Sequence, residues 1–226
     1  MPICTKQKRL VKRIFISKNE DEVQELAQRL SKNKHELIAH SFLRFKQVEF
    51  SIEQDFDILF FSSPRAVKFY LSRCEIPQNK LVACTGSGTK KVLEAMGITV
   101  SFSGKESGKI SAVAKEFKAW CGEKTVLFPV SNISKKTISS LFPKEQKAEV
   151  VVYETHITGC KIDDCDTYVF SSPSNVRGFL LENTLPDDVK VISWGESTSE
   201  ELRRVGISDF EEMVDASLDT IFLDEA

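Results

Sequence analysis

The sequence predicts two similar α/β domains, each built on a parallel β-sheet, with one domain discontinuous along the chain. An internal repeat is the first observation: residues 57–67 (DILFFSSPRAV) match residues 166–176 (DTYVFSSPSNV), 109 positions later. The second is an alternation of short strands with helices, which indicates βαβ units and parallel sheets. The third is that the second copy of the repeat is followed by too few strands to complete its own sheet.

Each copy of the repeat predicts the same succession of elements. A short apolar strand leads into Ser-Ser-Pro, where serine is a good helix N-cap and proline suits the first helical turn. A second strand then leads into Gly-x-x-Thr and another helix, which Gly97 or Gly206 closes at the position that favours a left-handed residue. The first copy has strands at 58–61 and 81–85 around a helix at 65–73, and the second has strands at 168–170 and 190–194 around a helix at 175–182.

The remaining segments complete both sheets. The first copy is followed by strands at 99–102, 125–128 and 149–153 and by helices at 110–120 and 134–142. After the second copy only one strand and one helix, ending near Leu223, can be assigned. The N-terminal segment supplies the missing strands, at 12–16 and 37–45, with a helix at 21–30 between them.

These elements predict a continuous domain over residues 47–152 and a discontinuous one formed by residues 1–43 and 158–226. The two domains are related as circular permutants. The chain then crosses between them near residues 42–48 and again near 153–158. Both crossings are β-prone, so they can pair as a two-stranded linker.

Composition and charge exclude several classes of protein. The chain carries 31 basic and 33 acidic residues, so it lacks the broad positive potential of a nucleic-acid or membrane-surface binder. No apolar run exceeds four residues, so we expect neither a membrane span nor a signal peptide, and we expect a cytoplasmic protein. The six cysteines and three histidines lack metal-ligand spacing, and the phosphate-binding and dinucleotide-binding glycine motifs are absent.

Hydroxyl-bearing residues follow the predicted strands at their carboxyl ends, where open parallel sheets bind ligands. Helix N-termini there present N–H groups that suit anions. A cleft between two such domains would therefore bind a ligand with several anionic groups. Each residue has the alternative role of a plain N-cap or of a solvated helix surface. The candidate binding residues are Lys18, Ser62, Ser63, Arg65, Thr89, Ser131, Asn132, Ser172, Ser174 and Thr198.

Tyr153 is the candidate catalytic residue. It ends the predicted strand 149–153 beside the second crossing, where its phenol can reach a ligand, although a half-buried structural tyrosine is the alternative. We expect Trp120 and Trp194 to be core residues.

Four motifs resemble the uroporphyrinogen-III synthase family. They are the repeated Ser-Ser-Pro-x-x-Val, Gly-x-x-Thr before a helix that ends in Gly-Ile, residues 126–129 (VLFP) and residues 151–155 (VVYET). The resemblance spans about residues 12–222 and is strongest over 57–98 and 150–207. It implies flavodoxin-like or Rossmann-like parallel-sheet domains joined by a two-stranded linker.

The resemblance also implies a function. It implies a lyase of heme biosynthesis that cyclises hydroxymethylbilane to uroporphyrinogen III with inversion of ring D, and that uses no metal or organic cofactor. Tyr153 matches the tyrosine proposed in the family to assist departure of the hydroxyl group, and Ser63, Thr89, Ser172 and Thr198 match positions of its cleft. We expect a monomer with a small-molecule substrate and no nucleic-acid or membrane partner.

Two other functions remain open at the level of sequence. One is a catalytically silent module of the same fold that binds a tetrapyrrole or another polyanion. The other, weaker alternative is a two-domain small-molecule binding protein of periplasmic type.

Overall fold

The computed structural model describes residues 11–105, 109–213 and Leu218 of the 226-residue chain. Within these ranges no helix is long and apolar enough to cross a membrane. The described strands are β1 (Arg13–Ile16), β2 (Glu36–Ala39), β3 (Leu43–Gln47), β4 (Ile58–Phe61), β5 (Leu81–Cys84), β6 (Phe102–Ser103), β7 (Val126–Ser131), β8 (Lys147–Ile157), β9 (Thr167–Phe170), β10 (Lys190–Ser193) and β11 (Glu211–Glu212). The described α-helices are α1 (Gln24–Lys32), α2 (Pro64–Leu71), α3 (Ser87–Ala95), α4 (Ile110–Cys121), α5 (Pro173–Leu180) and α6 (Glu196–Arg204).

The chain divides into two units. Unit 1 contains the chain up to Arg44 and from Ile157 onwards, and unit 2 runs from Phe45 to His156. One sheet has the strand order β11-β10-β9-β1-β2, and the other has the order β3-β8-β7-β4-β5-β6. The strand pairs whose register the structure describes are all parallel. They are β1–β2, β1–β9, β9–β10, β10–β11, β4–β5, β4–β7, β5–β6 and β7–β8. The predicted α/β class with parallel sheets is confirmed.

The two sheets have permuted versions of one strand order. Strands β9, β10 and β11 occupy the places that β4, β5 and β6 occupy in the other sheet, and β1 and β2 occupy those of β7 and β8. The N-terminal strands therefore complete the sheet that the second copy of the repeat leaves unfinished. In both copies the closing glycine is left-handed as predicted, with φ of 74° at Gly97 and 87° at Gly206.

The two segments where the chain passes between units are paired, since β3 is the neighbour of β8. The Thr158 N–H donates to the Phe42 carbonyl at 2.8 Å, and the Val48 N–H donates to the Val152 carbonyl at 3.4 Å. The predicted two-stranded linker is therefore present.

The prediction of one strand over residues 37–45 is wrong, because residues 40–42, which end in Phe42, separate β2 from β3. The Phe42 N–H donates to the buried amide oxygen of Asn175 at 2.9 Å instead of to a neighbouring strand. Its fully buried ring packs edge-on against Phe179. Gly178 makes room for it, since a Cβ on Gly178 would lie 2.3 Å from the Phe42 Cβ. Side-chain packing thus overrides the β-prone sequence here.

Both faces of each sheet are covered by apolar side chains, as parallel sheets require. In unit 2 one face of the sheet packs against α2 and α3 through side chains such as Phe61 and Tyr70. The other face packs against α4, where Phe117 contacts Phe60 and Phe128. Burial of one such phenylalanine side chain stabilises the fold by roughly 1.5–3 kcal/mol.

Two further sequence predictions are wrong. The segment 134–142 is not an α-helix but a turn followed by a short 3-10 helix, Ser139–Leu141. Lys136 has a φ of 55°, and the Ser139 hydroxyl donates to the Lys136 carbonyl, so local side-chain bonding replaces the helical ladder. Trp120 is 39% exposed and packs at the edge of the core against Phe102. The predicted helix ending near Leu223 lies outside the described residues.

Candidate functional site

Asn132 fixes the part of β8 that carries Tyr153. Its amide oxygen accepts from the Thr155 N–H at 2.8 Å, and its amide nitrogen donates to the Thr155 carbonyl at 3.4 Å. The Asn132 N–H donates to the Tyr153 carbonyl at 3.4 Å. Ser131 is the register partner of Tyr153 across an irregularity at the end of β7. Two predicted site residues, Ser131 and Asn132, therefore lie beside the predicted catalytic one.

The Tyr153 ring is held by aromatic packing. It stacks on Phe69 with the ring centroids 4.9 Å apart and the planes 14° apart, and it meets Phe45 edge-on at 6.2 Å. The residue is only 7% exposed. Its phenol oxygen makes no hydrogen bond to any residue within the described ranges. Aromatic packing therefore fixes the ring, and no described residue engages its hydroxyl group.

Arg65 belongs to the same aromatic group. Its guanidinium carbon lies 3.6 Å from the centroid of the Phe45 ring, which is a close cation–π contact. The Phe45 ring thus contacts both the Arg65 guanidinium and the Tyr153 ring, all within unit 2.

The serines of the two Ser-Ser-Pro motifs have different roles. Ser63 and Ser172 are N-caps: their side chains accept from the N–H groups of Ala66 at 3.2 Å and Asn175 at 3.3 Å. A capping oxygen uses one lone pair in this way, and its hydroxyl hydrogen can still donate. Ser62 is exposed at the end of β4 and lines a pocket of unit 2.

The helices after the Gly-x-x-Thr motifs begin without a side-chain cap. This holds for α3 after Gly86 and for α6 after Gly195. Their first turns therefore offer N–H groups to an anion. Thr89 and Thr198 lie in these turns and are buried, at 4% and 2% exposure, so the threonine side chains pack inward and shape the turn.

Two predicted residues of unit 1 make local contacts at the carboxyl ends of its strands. Lys18 follows β1, and its ammonium lies 3.8 Å from Glu22 and 4.9 Å from the centre of the Trp194 ring. Ser174 accepts a hydrogen bond from Arg177 at 3.2 Å. Trp194 is partly buried against the core cluster and carries Lys18 on its ring, so it is less enclosed than predicted.

A buried polar network in unit 1 was missed at the level of sequence. The Ser171 N–H donates to the Ser17 hydroxyl at 2.7 Å, and the Ser171 hydroxyl donates to the Ser17 carbonyl at 2.6 Å. The Asn175 amide donates to the same carbonyl at 3.0 Å. The sequence does carry a signal for it, because Asn175 stands where the first copy of the repeat has Ala66. This network joins the ends of β1 and β9 to the start of α5.

Phe69, the support of Tyr153, was also missed. Its equivalent in the second copy of the repeat is Gly178, which instead admits the Phe42 ring. In residues 11–105, 109–213 and 218 no group of histidine, cysteine, aspartate or glutamate side chains has the arrangement of a metal site.

Comparison with known proteins identifies the family. The family described as uroporphyrinogen-III synthase HemD matches residues 24–214. The solved uroporphyrinogen-III synthetase of Helicobacter pylori is similar over 92% of this chain and 95% of its own, with 18% identity and a TM-score of 0.68. A mutant uroporphyrinogen III synthase of Thermus thermophilus is similar over 95% of this chain and 98% of its own, with 11% identity and a TM-score of 0.61.

At these identities the solved structures show a shared fold, which agrees with the two parallel sheets described above. No curated protein sequence gives a significant match. The family match covers most of the chain and confirms the resemblance seen in the sequence motifs. The chain therefore belongs to the uroporphyrinogen-III synthase family.

Proposed function

We propose that the chain is a lyase of heme biosynthesis that cyclises hydroxymethylbilane to uroporphyrinogen III with inversion of ring D. The family match over residues 24–214 is the observation that carries this proposal. The substrate is a linear tetrapyrrole whose acetate and propionate groups are anionic, and the reaction releases one water molecule.

The proposed reaction begins at the hydroxymethyl group. Its C–O bond breaks, the hydroxyl leaves with a donated proton as water, and an azafulvene cation that keeps its ring N–H remains. The substituted α-carbon of ring D attacks the azafulvene carbon to form a spiro-pyrrolenine. The bond from that α-carbon to its original bridge then breaks, and the bridge rebonds at the other α-carbon of ring D. The proton lost when the ring becomes aromatic balances the one donated at the start.

We assign the donation of that first proton to Tyr153. The support is its geometry: a ring fixed by Phe69 and Phe45, with a phenol that no described residue engages. General acid catalysis of this kind contributes typically about 10²- to 10⁴-fold. A positioned donor also needs a fixed backbone, which the two hydrogen bonds between Asn132 and Thr155 supply.

Substrate carboxylates are the proposed ligands of the other candidate residues. Arg65 and Lys18 supply positive charge, and Ser62, Ser63, Ser172 and Ser174 supply hydroxyl donors. Thr89 and Thr198 shape the two uncapped helix starts, whose N–H groups bind anions. Holding the rings in one geometry is worth a large part of the catalysis, since unaided closure of the bilane gives the uninverted isomer.

We further propose that the enzyme is a cytoplasmic monomer. We also propose that residues 47–152 fold as one domain, and residues 1–43 with 158–226 as the other.

The test is incubation of the purified chain with enzymatically prepared hydroxymethylbilane, without added metal or nucleotide. The products are oxidised to porphyrins, and the type I and type III isomers are separated by chromatography. We expect type III to predominate. Type I alone, formed at the spontaneous rate, would refute the proposed function and favour a catalytically silent binding module.

A further inference from the structure

Unit 2 contains a pocket of about 190 Å³ at the carboxyl end of its sheet, of which only Ser62 belongs to the candidate residues above. Its floor is apolar and is formed by side chains of β4, β7 and the loop after β7: Phe60, Phe128, Val130 and Ile138. Its rim is polar and comes mainly from residues 134–139, the segment whose helix prediction was wrong. An apolar floor beneath a polar rim suits a flat ring with a polar substituent.

The rim carries two lysines that differ in their ion pairing. The Lys136 ammonium lies 2.5 Å from a Glu149 carboxylate oxygen, so its charge is paired. Lys135 is exposed, lines the pocket and forms no ion pair with any residue that the structure describes. Ser134 and Thr137 add hydroxyl donors on either side of the two lysines. A carboxylate at the mouth of the pocket would meet a cation and hydroxyl groups together.

Glu149 holds this rim in place from β8. The Ser139 hydroxyl donates to its carboxylate at 2.5 Å, and Lys147 donates to the Ser139 carbonyl at 2.8 Å. Burial opposes ionisation of Glu149, but the hydrogen bonds from Lys136 and Ser139 outweigh it and lower the pKa of this carboxyl. The loop is therefore ordered by an ionised side chain, and a ligand bound there meets a preformed rim.

We infer that this pocket binds a single pyrrole ring through its carboxylate side chain. The ring lies on the phenylalanine floor, and the carboxylate pairs with Lys135 and accepts from Thr137. The volume is below the roughly 300–1,000 Å³ of pockets for drug-sized ligands, so it suits one ring and not a whole tetrapyrrole. The pocket itself suits one flat ring that bears a carboxylate; that this ring is a pyrrole, and that it belongs to a bilane, rests on the proposed function.

Direct binding tests this without any turnover. The full-length protein is labelled with ¹⁵N and titrated with pyrrole-3-propionate, with its neutral methyl ester and with inorganic phosphate. We expect the acid to shift the amide signals of Ser62, Thr137 and Ile138, and we expect the ester and phosphate to bind more weakly. Equal binding of the ester would overturn the role of Lys135, and stronger binding of phosphate would overturn the pyrrole ring as ligand.

Lys135→Gln should weaken binding of the acid by roughly threefold to tenfold, the size expected for a partly exposed charge-assisted contact. Lys144→Gln is the matched control, because Lys144 is exposed in unit 2 but does not line the pocket. With bilane as substrate, Lys135→Gln should raise KM and leave kcat nearly unchanged.

The two proposals fail separately. Formation of the type III isomer without any shift at the pocket amides would overturn this inference alone. Binding of pyrrole-3-propionate at the pocket without isomer III would overturn the proposed function alone. Unchanged binding in Lys135→Gln, or an equal loss in Lys144→Gln, would overturn the pairing with Lys135.

Discussion

Replacement of Tyr153 by phenylalanine separates proton donation from packing. The ring stacked on Phe69 and set against Phe45 is kept, and only the phenol oxygen is removed. Because that oxygen makes no hydrogen bond to a described residue, no bond within the described part of the chain is lost. We expect the free energy of unfolding to change by less than about 0.5 kcal/mol, as for substitutions that disturb neither packing nor hydrogen bonds.

The catalytic effect should be far larger than the effect on stability. General acids contribute about 10²- to 10⁴-fold, and we expect an effect at or below the low end of that range because the hydroxyl of a pyrrolylmethanol leaves readily. We therefore predict a loss in kcat of roughly tenfold to a hundredfold, which corresponds to about 1.4–2.7 kcal/mol of activation free energy. KM should change little, because the donated proton matters in the transition state and not in substrate binding.

The assay measures the initial rate of type III formation at saturating bilane, corrected for spontaneous closure, together with urea unfolding of each variant. Tyr70→Phe is the matched control, since Tyr70 is a buried tyrosine of the same unit whose ring packs against Phe50 and Phe61. Its kcat should equal that of the parent protein. Full activity in Tyr153→Phe would refute the proton-donor role and leave positioning as the source of catalysis.

Three further predictions concern the surroundings of the site. Asn132→Ala removes both hydrogen bonds to Thr155, so it should lower the free energy of urea unfolding by about 1–2 kcal/mol and should also lower kcat. An unchanged free energy of unfolding and an unchanged kcat would contradict the positioning role of Asn132. Glu149 has a lowered folded-state pKa, so its stabilisation is present above the unfolded pKa and is lost as the pH falls through the folded one. The stability difference from Glu149→Gln, measured by urea unfolding over a pH series, should therefore shrink in acid, and a pH-independent difference would contradict this. Residues 45–156 expressed alone should fold and should unfold in one cooperative transition in urea. A gradual transition would contradict this prediction.

The fold was largely predictable from the repeat. Strand β4 begins and ends where the apolar run at residues 58–61 does, and its counterpart β9 extends the predicted 168–170 by one residue. Gly97 and Gly206 adopt the left-handed conformation that their place after a helix predicts. These features depend on local sequence, and the second copy of the repeat supports each assignment of the first.

Features that depend on contacts distant in sequence could not be predicted. The break at Phe42 comes from the amide of Asn175, 133 residues away in the chain, and from the space at Gly178. The loop after β7 reads as helical in sequence, but Lys136 is left-handed there and its ammonium pairs with Glu149 of the next strand. The pocket rim belongs to this loop, so it was not predicted either.

The sequence predicted that the candidate residues lie at the ends of strands, but it did not predict which side chains contact one another. Tyr153 was chosen as a candidate for its place beside the crossing, and Asn132 for its place after β7. The role of Phe69 as a support depends on how α2 packs beside β8, which the pattern of residues does not specify. Ser63 and Ser172 were singled out as ligands or caps, and the structure gives both the capping bond.

The most direct measurement is the fraction of type III isomer formed from a fixed amount of hydroxymethylbilane as the protein concentration is raised. Enzymatic and spontaneous closure compete for the same substrate, so the proposed function predicts that the type III fraction rises with protein concentration and approaches completion. A product mixture that stays at the spontaneous type I composition at every protein concentration would contradict it.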